Sequence, residues 1–264
     1  MLDKADIRKA ASDLHDALRS RKPVGPLTER FENLSIEDAY RIQMENVTRR
    51  SVEGERIIGK KIGLTSIAMQ KMLGVFEPDY GHLFESMLLP QNELDMSTVI
   101  QPKAEGELAF VMGRGLKGPG ITPFDVLRAT DYVVPAIEII DSRVKDWKIK
   151  IQDTIADNAS SAYIAVGNRV LPVTDIDLYA TGMVFSKNGE VVATGAAAAV
   201  MGNPLRAVAW LVNKLSEFDV GVGESEIILS GSLTSAMDIG MRDVIEITFD
   251  RLGSVTLKAR EGSG

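Results

Sequence analysis

Three acidic side chains sit where an acid needs a reason to be. Glu105 and Glu107 flank Gly106 in the run Gln101-Pro102-Lys103-Ala104-Glu105-Gly106-Glu107-Leu108-Ala109-Phe110-Val111-Met112. The run reads as a strand from about Leu108, with the two carboxylates at its start. Alternation puts both on one face, their Cα atoms roughly 7 Å apart, and turns Leu108, Phe110 and Met112 to the other. Glu138 lies within Val133-Val134-Pro135-Ala136-Ile137-Glu138-Ile139-Ile140, apolar enough for a buried strand. A lone carboxylate there is costly to desolvate, or stays protonated. A divalent cation shared by Glu105, Glu107 and Glu138 removes that penalty. Three carboxylates plus water make a hard, oxygen-only site of the kind Mg²⁺ or Mn²⁺ takes. Two plainer readings compete. Glu105 and Glu107 could be the solvated face of an edge strand, and Glu138 could be neutralised by Lys103, Arg143 or another cation as a structural ion pair.

The elements that must position these groups can be traced along the chain. Ile7, Ala11, Leu14 and Leu18 form one stripe of a helix over residues 4–20. Ser35 and Asp38 make a capping box for a second helix that Gly54 ends. These two helices suggest a mainly helical N-terminal subdomain, residues 1–75, ahead of a mixed β catalytic domain, residues 76–264. Arg56 to Ile62 reads as a short strand carrying Lys61. Thr65 or Ser66 then caps a helix of about two turns closed by Gly74, and such an N-terminus suits a substrate carboxylate. Asp79, after Pro78, reads as a turn former, and His82 as a packing residue. Thr122-Pro123-Phe124-Asp125 opens another helix. Residues 154–161, dense in short polar side chains, suit a turn or a site loop equally. Lys187-Asn188-Gly189-Glu190 marks a tight hairpin, and Gly202-Asn203-Pro204 opens a last helix.

Composition narrows the function classes. The net charge of −7 and the absence of long basic runs argue against nucleic acid and anionic membranes. With no Cys, a thiol nucleophile, a disulfide and a zinc–thiolate site are all excluded. Two histidines, His15 and His82, are too few for a His-rich metal site. No apolar stretch has the length of a membrane span and the N-terminus is a polar helix start, so a cytoplasmic protein is expected.

Taken together, Gly59-Lys60-Lys61-Ile62-Gly63-Leu64-Thr65-Ser66, Pro78-Asp79-Tyr80-Gly81, Pro102 to Glu107, Glu138-Ile139-Ile140-Asp141-Ser142-Arg143 and Ala156-Asp157-Asn158-Ala159-Ser160 resemble the fumarylacetoacetate hydrolase superfamily. Within it the chain is similar to the hydratase/decarboxylase branch of catechol meta-cleavage pathways, over nearly its whole length. The resemblance implies an α+β fold, a mixed β-roll or barrel with a small N-terminal helical subdomain. It implies Glu105, Glu107 and Glu138 as ligands of Mg²⁺ or Mn²⁺, and Lys61 and Asp79 as acid/base groups. It places Leu64, Thr65, Ser66 and Ser160 against the substrate. The implied reaction is addition of water to 2-hydroxypenta-2,4-dienoate, a 2-hydroxydienoate that ketonises to a 2-oxo acid. Decarboxylation of 4-oxalocrotonate, or a non-catalytic place in a hydratase–decarboxylase complex, are the alternatives. A homo-oligomer is also implied. Asn203 departs from the family pattern, in which His often precedes this proline.

Overall fold

The computed structural model describes residues 1–66, 70–71 and 75–262. In chain order the helices are α1 (Lys4–Ser20), α2 (Leu27–Arg30), α3 (Ile36–Val52), α4 (Pro123–Ala129), α5 (Ile151–Ala156) and α6 (Pro204–Ser216). The strands are β1 (Ile57–Gly63), β2 (Asp79–Phe84), β3 (Glu93–Asp95), β4 (Lys103–Met112), β5 (Thr130–Ile140), β6 (Ser161–Val166), β7 (Leu171–Pro172), β8 (Gly182–Lys187), β9 (Glu190–Ala196), β10 (Ile227–Leu229), β11 (Met237–Asp238), β12 (Val244–Phe249) and β13 (Gly253–Arg260). Short 3₁₀ turns connect several of them. No helix among the described residues is long and apolar enough to cross a membrane.

Two sheets carry the architecture. The larger runs β2-β1-β10-β4-β5-β6, with β11 also paired to β4 and β7 to β5. The smaller runs β3-β13-β12-β8-β9. Neither sheet closes on itself among the described residues, so the mixed β architecture is a pair of open sheets and not a closed barrel. β4 and β5 form the spine of the larger sheet, an antiparallel pair in register from Lys103 opposite Ile140 to Val111 opposite Tyr132, with a one-residue shift before Met112 meets Thr130. Both are buried for most of their length, which explains their near-continuous apolar runs.

The two faces of the larger sheet have different neighbours, and this decides where the chemistry lies. Leu108, Phe110, Ile137 and Ile139 face the smaller sheet, joining Phe185, Ile247 and Leu257 in the main core. Gly106 lies on this face too, with Met183 and Ile247 packed against its Cα where a side chain would otherwise stand. Strand alternation therefore sends Glu105 and Glu107 to the opposite face. There a smaller apolar cluster of Leu83, Ala109, Val134, Ala136, Ile164 and Leu229 is closed by Val47, Phe84 and Met87. Burying a side chain such as Phe110 stabilises the fold by about 1.5–3 kcal/mol, and this double layer fixes the register of β4.

The N-terminal helices form as their sequence signals require. Asp3 caps α1 through Asp6 N–H, and Ser35 caps α3 through Asp38 N–H at 3.0 Å. Asn203 is an N-cap as well, its Oδ1 accepting from Leu205 N–H at 2.9 Å. That gives this residue a structural use where the family often carries His. Asn188 and Gly189, both at positive φ, make the tight β8–β9 hairpin. One local expectation is corrected. Residues 79–84 form strand β2, buried throughout, rather than a turn. Pairing with β1 from Gly63 opposite Asp79 to Ile57 opposite Phe84 overrides the local turn chemistry of Pro78-Asp79. The helix expected from Thr65 or Ser66 to Gly74 lies largely outside the described residues.

Candidate metal centre

The carboxylates expected to converge do so. Glu105 on β4 stands directly opposite Glu138 on β5, and Glu107 is two residues further along the same face. One carboxylate oxygen from each lies within 4.8 Å of the others. Glu107 and Glu138 are fully buried and Glu105 is half-buried. The strands are central in the sheet, so the reading of Glu105 and Glu107 as a solvated edge face is excluded.

Cation and acid come from the neighbouring strands. Lys61 on β1 is 3% exposed, and its Nζ stands 3.2 Å from Glu138 Oε2. That contact has ion-pair distance but not hydrogen-bond alignment, so both Glu138 oxygens lack a hydrogen-bond partner among the described residues. The ammonium instead donates to the Ala159 carbonyl at 3.2 Å. Asp79 opens β2 opposite Gly63, and both its oxygens are buried without a partner among the described residues. Gly63 is required here, because a Cβ would collide with Asp79 Oδ1 and crowd Lys61 Nζ at 3.4 Å.

The electrostatics follow from this crowding. Burial pushes Asp79 up to about 6, with Lys61 opposing the rise. Burial likewise raises Glu105 to about 7, again against Lys61 and with Glu138 reinforcing it. Glu107 is held well above the ordinary carboxylate range by burial and by the facing Glu138 and Glu105. Burial alone would lower the Lys61 ammonium, but Glu138, Glu105, Asp79 and Glu107 outweigh it and raise its pKa. The protein has gathered more negative charge than one lysine balances. Orphaned buried oxygens on Glu107 and Glu138, beside the third carboxylate, fit a hard divalent cation.

Supporting elements hold the arrangement. Gly231, at φ +103, directs its N–H onto Glu107 Oε2 at 2.7 Å. A side chain at this position would collide with Thr65. Asn158, Ala159 and Ser160 all have positive φ, 56, 50 and 54, a costly conformation for residues other than glycine. Several bonds hold that turn. Asn158 accepts from His82 N–H at 2.8 Å and donates to the His82 carbonyl at 2.9 Å, pairing with the free edge of β2. Arg143, buried, meets Asp157 Oδ1 at 2.5 Å and also donates to the Asp141 and Ser161 carbonyls. Burial nonetheless pushes Asp157 up to about 6, with Arg143 opposing.

The expected substrate residues are placed less uniformly. Thr65 is buried and reaches the centre through its packing on Gly231. Leu64, at φ 55, and Ser66 leave β1 directly after Gly63, and their carbonyls accept from Gln70 at 2.7 and 3.0 Å. The Ser160 hydroxyl donates to Asp157 Oδ2 at 3.3 Å. The Gly231 N–H and the Asn158 clamp carry no signal of periodicity. Their trace in the sequence is a glycine after β10 and an Asn in a polar turn.

The fold and the acidic centre define a class: a two-sheet α+β protein with three carboxylates gathered on one buried sheet face. The sequence family described as fumarylacetoacetate (FAA) hydrolase C-terminal matches residues 80–259, and the chain belongs to it. It is 47% identical over 221 residues to 2-hydroxypent-2,4-dienoate hydratase of Pseudomonas putida, covering 83% of this chain and 100% of that protein. It is 42% identical over 264 residues to 2-hydroxyhexa-2,4-dienoate hydratase of Comamonas testosteroni, covering 99% and 100%. Among solved structures it matches 4-oxalocrotonate decarboxylase from Pseudomonas putida G7, complexed with magnesium and adipate, with a TM-score of 0.95 and 36% identity over 98% of this chain and 99% of that one.

Proposed function

We propose that the chain is a metal-dependent hydro-lyase that adds water to 2-hydroxypenta-2,4-dienoate to give 4-hydroxy-2-oxopentanoate. The observation that carries this reading is the cluster of Glu105, Glu107 and Glu138 facing Lys61 and Asp79 in one buried site. The naming of the relatives as dienoate hydratases supports the substrate class.

Glu105, Glu107 and Glu138 would hold Mg²⁺ or Mn²⁺. Such a dication supplies Lewis-acid stabilisation of the negative charge that develops on the oxygen of a 2-oxo acid as it enolises. The protein's own groups account for the proton movements. The dienol loses its hydroxyl proton and gains one at C5, giving an α,β-unsaturated 2-oxo acid. Water then adds its oxygen at C4, and a proton is placed on C3. Asp79, titrating near 6, can hold or release a proton close to neutral pH, as a general acid/base must. Lys61 supplies a second exchangeable proton, and its bond to the Ala159 carbonyl orients the amine. Gly231 N–H holds Glu107 in its ligand position. Leu64, Thr65, Ser66 and Ser160 complete the proposed substrate pocket. The protein would work in the cytoplasm as a homo-oligomer, in aromatic meta-cleavage catabolism.

Decarboxylation of 4-oxalocrotonate is the second reading, favoured by the solved-structure match. An ultraviolet assay with Mg²⁺ separates the two. Loss of the dienol absorbance without release of CO₂ is expected. Release of CO₂ from 4-oxalocrotonate would establish the decarboxylase instead. Inertness toward both substrates would leave the place of a non-catalytic partner in a hydratase–decarboxylase complex.

A further inference from the structure

Lys61 stands on β1, but the carbonyl that receives its hydrogen bond comes from a distant part of the chain. Lys61 and Gly81 are cross-strand neighbours on β1 and β2. A Cβ on Gly81 would collide with the Asn158 carbonyl, so the Asn158–Ser160 turn lies directly against that pair. The next carbonyl of the turn, that of Ala159, accepts from Lys61 Nζ at 3.2 Å. The amine has the same separation from Glu138 Oε2, without hydrogen-bond alignment. Among the described residues, the Ala159 carbonyl is therefore what gives the amine its direction.

Three successive residues of this turn are left-handed and none is glycine, so local preference does not hold it. Arg143 brackets it from outside. Nη2 donates to the Asp157 carbonyl where the turn begins, and Nη1 to the Ser161 carbonyl where it ends, the latter at 3.1 Å. Nε and the backbone N–H of Arg143 bond the two oxygens of the Asp157 carboxylate. The Ser160 hydroxyl donates to the second of these oxygens at 3.3 Å. Arg143 is 4% exposed and is itself pinned. Its carbonyl accepts from Val24 N–H at 2.9 Å, and Gln101 Nε2 donates to the Ser142 and Val144 carbonyls on either side of it, at 2.8 and 2.6 Å. A planar fork can reach both ends of the turn at once, whereas an ammonium is a single point of donation.

We propose that Arg143 is a positioning residue for Lys61, an inference that rests on the acid/base role proposed for that lysine. By bonding the carbonyls at both ends of the turn, Arg143 keeps the Ala159 carbonyl on the amine. It does so without a hydrogen bond or ion pair to Lys61, Asp79 or the three glutamates.

Arg143→Lys keeps a cation beside Asp157 but loses the fork. With Mg²⁺ present, kcat on 2-hydroxypenta-2,4-dienoate should fall about tenfold or more, while KM and the Mg²⁺ Kd from calorimetry stay within about twofold of the wild type. Glycine takes positive φ freely, so adding Ala159→Gly to Arg143→Lys relieves the turn and should raise kcat again by about threefold or more. A crystal structure of Arg143→Lys should show Lys61 Nζ away from the Ala159 carbonyl with the three glutamates in place. That measurement does not depend on the reaction. A wild type inert toward the dienol would fail the hydratase reading alone, and the crystal structure would then decide the positioning role. Unchanged kcat in Arg143→Lys, equal losses of kcat and Mg²⁺ affinity, no recovery with Ala159→Gly, or Lys61 still bonded to Ala159 in the Arg143→Lys crystal would each overturn the proposal.

Discussion

Glu107 carries the tightest set of constraints in the centre. It is fully buried, flanked by two carboxylates and held, among the described residues, by one backbone N–H. Glu107→Gln keeps the shape and that hydrogen bond but removes the charge. The variant should retain its fold by circular dichroism and lose Mg²⁺ affinity by more than the roughly 10–100-fold typical of an outer-shell partner. Unchanged binding in calorimetry would remove Glu107 from the ligand set. Asp79 makes a separate, pH-dependent prediction. Its folded pKa of about 6 lies above its ordinary 3.8, so the native state binds this proton more tightly than the unfolded chain does. Burial of Asp79 therefore costs nothing below about pH 4, and its cost grows as pH rises through 6. In metal-free protein, Asp79→Asn should gain about 3 kcal/mol on the wild type between pH 4 and 7, measured by urea unfolding. Parallel stability profiles for the two proteins would contradict it.

At the scale of elements, the central strands were legible because their residues repeat. Alternation in β4 gave the shared face of Glu105 and Glu107, and the apolar run around Glu138 gave its burial. Capping signals at Ser35 and Thr122 placed two helices, each with the expected side-chain to backbone bond. β2 was not legible, because Pro78-Asp79 and Gly81 are turn-like by themselves and become strand only through pairing with β1. The turn at Asn158–Ser160 was ambiguous for the same reason. Its left-handed backbone is held by Asn158 on the β2 edge and by the buried Arg143–Asp157 pair, contacts made between residues distant in sequence. Asn158→Ala leaves the His82 N–H and carbonyl on that edge unbonded. It should destabilise the chain by about 1–3 kcal/mol and speed hydrogen exchange at the His82 amide. Wild-type protection of that amide would show that the clamp is dispensable.

For the molecule as a whole, the two open sheets make the site possible by giving the larger sheet two buried faces of different character. The face toward the smaller sheet is mainly apolar over β4 and β5 and fixes register. The other face ends its apolar cluster at Ala136 and Leu229 and gives way to Glu107, Glu138 and Lys61. The sheet order, with β1 and β10 inserted between β2 and β4, could not be read along the chain, because it depends on pairings between residues more than 160 positions apart. What all of it positions is a group of three carboxylates proposed to share a single ion. Crystals grown without chelator and soaked in Mn²⁺ test this by anomalous scattering at the manganese edge. One peak is expected, about 2.1 Å from an oxygen of each of Glu105, Glu107 and Glu138, at the distance a hard dication takes. A peak bound by other side chains, or none among these three at saturating Mn²⁺, would contradict the account.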